Sequence, residues 1–118
     1  MIWSKPIACS FAVLAAAGCV KRSLPHDRVL VLEGTVSAAA AIGAGKDERA
    51  AEHLALARRQ IERARKLARD GELGEARLVL EGAQADAELA IMITRAEKAR
   101  TEAREVLEQD HEVSSRAP

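Results

Sequence analysis

The chain has 118 residues, 18 cations balanced by 18 anions, and aromatic side chains at only 2% of positions. That length holds one domain, the even charge offers no basic surface for nucleic acid, and the scarcity of aromatics removes the platforms on which bases and sugars stack. Both aromatics, Trp3 and Phe11, fall in the first segment, so the rest of the chain has none.

That first segment has a short start carrying Lys5, an apolar stretch from Ile7 to Ala17, and a small-residue approach to Gly18 and Cys19. This is the layout of a secretory signal, shorter than the roughly 20 apolar residues a membrane-spanning helix needs. The run Ala16-Ala17-Gly18-Cys19 resembles the lipobox of bacterial lipoproteins, with the usual leucine displaced to Leu14. The resemblance implies a signal peptide over residues 1–18, cleavage between Gly18 and Cys19, and lipidation of the Cys19 thiol by a diacylglyceryl group. A further acyl chain of palmitate type is expected on the new amino group. Each buried CH₂ contributes roughly 0.8 kcal/mol, so more than one chain makes the anchoring effectively permanent. Cys9 lies inside the discarded segment, which leaves no disulfide to consider. By analogy with enteric sorting, Val20 in place of an aspartate directs the protein to the outer membrane, facing the periplasm.

Residues 19–26 read as a lipidated tether containing Pro25, and a first helix is expected from Asp27 to about Ala44. Within it "VLVL" at 29–32 has strand-like side chains, but the alanines that follow favour helix. "GAGKD" breaks the element, and Asp47 is a good N-cap for a second helix over about 47–70. There Ala50, Leu54, Ala57, Ile61, Ala64 and Ala68 recur at spacings of four and three, one apolar stripe on a helix. Gly71 is expected to close that helix in a left-handed cap. A third helix then runs over about 72–110, and residues 111–118 read as a disordered tail.

The expected architecture is all-α. An antiparallel hairpin of helices two and three carries the shorter first helix, giving a three-helix bundle with a long C-terminal helix over residues 27–110. A fold about Gly71 sets Leu89–Ile93 level with Ala50–Leu54 and makes the third helix outrun its partner beyond Thr94. The run "LAIMI" at 89–93 is apolar on every side, so the first helix is expected to pack on the side away from helix two. Along the overhang, Leu89, Met92, Ala96, Ala99, Ala103 and Val106 continue a coiled-coil stripe, the candidate partner seam.

From "AIGAGKDERAAEHLALARRQ" through "EGAQADAELA", the chain resembles the domain-of-unknown-function-4398 family of bacterial envelope proteins. The likeness is carried by Gly43-Ala44, Ala51, Leu54, Ala57, Ala64, Gly71, Ala76-Arg77 and the run Ala83 to Ala90, within roughly residues 30 to 105. Ala50 departs from it, standing where members often have Ala-Pro. Members are commonly lipoproteins, and the family implies no enzymatic activity.

The residues themselves carry no catalytic constellation. His26, His53 and His111 are far apart without a second ligand one turn away, so no metal is expected. Asp86 and Glu88 point about 200° apart on a helix and cannot share a substrate; Asp86 either meets an arginine of the second helix, near Leu56 to Arg59, or stays in solvent. No cofactor motif is present. The expected function is a non-catalytic outer-membrane lipoprotein whose periplasmic bundle serves as a tethered protein-interaction or envelope-structural module. Its partners would be the membrane, through the lipid on Cys19, and a protein or a second copy, not nucleic acid. The alternative is an accessory activator or adaptor subunit of an envelope enzyme or transport complex. A covalent peptidoglycan link of the murein-lipoprotein type, made through a terminal lysine, is not expected from Arg116-Ala117-Pro118.

Overall fold

The computed structural model describes Leu24 and residues 26–118. The signal segment, the Gly18–Cys19 junction and most of the tether lie outside the described residues. Three helices follow in order: α1 (His26–Ala41), α2 (Glu48–Arg69) and α3 (Leu73–Arg116), with a single 3-10 turn over Ala44–Lys46 between the first two. Among the described residues there is no strand, and the expected all-α bundle is the observed fold.

Each break has a local cause. Gly43 takes φ of 99°, a left-handed conformation that ends α1. Asp47 caps α2 as expected, its carboxylate accepting the Ala50 amide at 2.9 Å. Gly71, with φ of 87°, ends it; the Glu72 amide donates to Leu67 carbonyl at 2.9 Å and the Gly71 amide to Ala68 at 3.2 Å. That pair of bonds is the Schellman motif, which satisfies carbonyls the helix end would otherwise leave open. "VLVL" is helical despite its strand-like side chains. Val29, Leu32, Val36 and Ala39 face the core at spacings of three and four, and that burial outweighs the intrinsic preference.

Nine of the sixteen buried residues in the described core are alanines. On α2 they are Ala50, Ala57 and Ala64, and on α3 Ala76, Ala83, Ala87 and Ala90, all fully covered. The larger buried residues are Val29, Leu32, Val36, Leu54, Ile61, Leu80 and Ile93. A covered methyl contributes about 0.8 kcal/mol and a covered leucine or isoleucine about 1.5–3 kcal/mol, so those seven supply most of the hydrophobic stabilisation. The alanines set how near the two helices come.

The register of the hairpin is fixed by two cross-pairs, His53 with Asp86 and Arg63 with Glu75. One α3 residue is passed for nearly every α2 residue, which brings the start of α2 level with Met92 and Ile93. Ile93 is accordingly the last buried residue of α3. From Lys98 onward every residue of α3 is exposed. The helix continues to Arg116, past the expected end near Asp110 and through most of the segment read as a tail. At 1.5 Å per residue its 44 residues span about 66 Å.

α1 does not pack where the apolar "LAIMI" run asked for cover. It lies in the groove between α2 and α3, touching both; Glu33 binds Arg65 of α2, and Leu32 is buried beside Leu80 of α3. Ala90 and Ile93 are therefore buried and Ile91 half-buried, while Leu89 and Met92 stay in solvent.

The thin interface gives a direct expectation. Ala57→Leu should lower stability in urea denaturation by about 2 kcal/mol, because the added volume forces α2 from α3. Ala38→Leu, on the exposed side of α1, should change it by no more than about 0.5 kcal/mol.

Candidate functional site

Two faces of α3 run in parallel, half a turn apart. The covered line is Ala76, Leu80, Ala83, Ala87 and Ala90. Adding two to each number gives Leu78, Gly82, Ala85, Leu89 and Met92, rotated about 200° and so on the opposite side. The spacing of four and three then carries this second line through Ala96, Ala99, Ala103 and Val106. Every residue of the expected seam is exposed, Met92 at 65% and Val106 at 63% of full accessibility.

The structure extends the seam at both ends. Leu78 and Val113, exposed by 68% and 70%, fall on the same line. They escaped the sequence reading because Gly82 and Asp110 interrupt the stripe. The repeat of four and three across those gaps was the signal that could have found them. Leu107 borders the seam, also exposed. The line spans about 35 residues, or roughly 52 Å, and is exposed along its length except at Gly82, which Gln60 of α2 half-covers.

Its flanks are charged. Glu81, Glu88, Arg95 and Glu102 recur every seven residues along one border, all exposed. Among the described residues, Glu81, Arg95, Glu102 and Arg116 enter no ion pair within the chain.

Some charges elsewhere make structural contacts, although others, such as Arg58, Arg59 and Arg77, also enter no ion pair among the described residues. Asp86 meets His53 Nδ1 at 2.8 Å, so neither the arginine pair nor full solvent exposure is its setting. The reversal is centred on the end of α2 rather than on Gly71, which shifts the opposing residue by nearly a turn. Arg65 is held between Glu33 and Glu62; hydrogen bonds to the two carboxylates, Glu33 first, raise its pKa further. It stays a permanent cation linking α1 to α2. Among the described residues no three metal-ligating side chains converge. A groove of about 410 Å³ between α1 and α3, lined by Asp27, Arg28, Val31, Leu32 and Leu80 among others, lies open to solvent. Cys19 and Gly18, the expected lipidation and cleavage positions, lie outside the described residues. No described helix is long and apolar enough to cross a membrane.

No family model, curated protein or solved structure matches the chain.

The two faces of α3 predict opposite responses to the same change. Ile93→Asp should unfold the bundle or cost more than about 3 kcal/mol, since it buries an uncompensated charge. In protein dilute enough to be a single copy, Val106→Asp should leave the melting curve within about 0.5 kcal/mol of the parent. A double-mutant cycle on His53→Ala and Asp86→Ala should return a coupling of about 1 kcal/mol, a structural contribution only.

Proposed function

We propose that the chain is a non-catalytic, lipid-anchored envelope protein: acyl chains on Cys19 hold it in the outer membrane, and the bundle presents the back of α3 to a protein in the periplasm. The observation that carries the contact function is the apolar line from Leu78 to Val113, exposed along one face of a continuous helix. Large apolar side chains repeated in one line over so long a stretch mark a protein-contact surface rather than scattered surface hydrophobes. The anchoring half rests on the lipobox-like run Ala16-Ala17-Gly18-Cys19, and the resemblance to the domain-of-unknown-function-4398 family favours the same compartment.

The mechanism is tethering. Anchoring confines the chain to a surface, which raises its effective concentration toward any partner in that layer. The His53–Asp86 and Arg65–Glu33 links hold the three helices as one body, so the exposed line is presented at a fixed angle to the bundle. An adaptor or activator of an envelope enzyme would use the same face; a photo-crosslinker at Ala99 would then capture that enzyme.

Intact-mass measurement on protein from the native host tests the anchor. The expected product begins at residue 19 and is heavier than its polypeptide by the lipid groups, and Cys19→Ser abolishes the added mass. An unmodified mass, or partition with the cytosol, removes the placement. Murein sacculi boiled in detergent should release the protein, and retention would restore the covalent-link alternative.

A further inference from the structure

The charges flanking the seam identify what covers it. We infer that the partner of this face is a second copy of the same chain, docked antiparallel so that Ala96 of one copy faces the partner's Ala99. The inference rests on the contact function proposed above and names its partner.

In a two-helix seam the residues bordering the apolar line decide orientation and register, because like charges set opposite each other are penalised. In a parallel pair each apolar layer meets its own copy, which stacks Asp110 on the partner's Asp110. The borders then set Arg95 beside the partner's Arg100 and Glu81 beside the partner's Asp86. All three juxtapositions are like-charged.

In the antiparallel pair, the register with Ala96 on the partner's Ala99 places Met92 on the partner's Ala103 and Leu89 on the partner's Val106. Large side chains then meet small or medium ones in successive layers, as interdigitation requires. The same register brings Arg95 to the partner's Glu102 and Glu81 to the partner's Arg116, while Glu88 meets the partner's neutral Gln109. By symmetry each attraction occurs twice. Sliding the copies by one heptad in one direction sets Arg95 against the partner's Arg95 and Glu88 against the partner's Glu102. Sliding the other way sets Glu102 against the partner's Glu102. Of these registers, only the first has no like-charge pair along this border.

Three features of the single chain agree with this. Arg95, Glu102, Glu81 and Arg116 have no ionic partner within the described chain, so the pairing displaces no salt bridge. All four are exposed. α1 and α2 cover the Ala76–Ala90 side of α3, and apart from Gly82, half-covered by Gln60, the line on its back is exposed, so the overhang of one copy can lie along the other copy's bundle.

Two differently tagged full chains, one with Leu89→Cys and one with Val106→Cys, are co-expressed and oxidised, with the parent chain as control for Cys9 and Cys19. The expected product is a mixed disulfide between the two tags, with little product from either variant alone. Same-site products from each variant alone would overturn the antiparallel arrangement, and no product in any combination would overturn the pairing. In sedimentation of the detergent-solubilised full chain, Arg95→Glu or Glu102→Arg should each weaken the dimer about tenfold. The double exchange R95E/E102R should recover most of that affinity. Helicity should be unchanged in all three variants, and failure of the double exchange to rescue would overturn the register. Acylated protein that remains monomeric sinks the pair and leaves the tether standing. A dimer found on unacylated protein does the reverse.

Discussion

Helices α2 and α3 can close only as far as the side chains between them allow, and those side chains are mostly methyl groups. Ala50, Ala57 and Ala64 face a stripe made of Ala76, Ala83, Ala87 and Ala90. Close approach lets a short α1 reach both helices from one groove, so Val29, Leu32 and Val36 finish the core. It also limits what the bundle can cover. Two neighbours pressed into one side of α3 leave its far side bare, and the exposed line there follows from the same narrowness that holds the hairpin together.

Polar contacts trim this arrangement without driving it. Arg65 spans Glu33 and Glu62, and Lys66 reaches Asp70 just past the end of its helix. Such partly or fully exposed pairs contribute little individually. His53 and Asp86 are more enclosed, with side chains 31% and 16% exposed, and they fix the sliding position of the hairpin where alanines alone specify it weakly. One buried polar atom among the described residues lacks a partner: Gln60 Oε1, whose amide lies over Gly82. A β-carbon at position 82 would meet that amide at 3.6 Å, an ordinary contact, so alanine fits there.

Much of this was legible in the residues alone. The spacing of four and three on α2, the Asp47 cap and the Gly71 stop are short-range signals, and each appears where the local chemistry put it. The overhang was also legible, because it needs only the count of residues on either side of the turn. What the sequence left open were quantities set by packing in three dimensions. Asp86 opposite His53 depends on where the reversal is centred, a shift of a few residues no composition reveals. The siting of α1 depends on which groove is narrow enough to grip it, and "LAIMI" misled because an apolar circumference does not say which sector stays bare. α3 persists to Arg116 through His111, Val113 and two serines, a stretch whose weak helix preference hid its continuation.

α1 begins beside Leu80 and Glu81, near the turn end of the hairpin, whereas α3 ends at Arg116. About 54 Å of helix separates those levels. If acyl chains on Cys19 anchor the chain as proposed, a lone copy would be a post, standing on its hairpin end with its tip in the fluid. Two copies joined head to tail would then have a foot at each extremity, and a leash of seven residues reaches at most about 25 Å. Both feet can enter one bilayer only if the assembly lies down along it, like a staple pressed flat, so pairing would turn an upright reporter into a strap across the lipid surface.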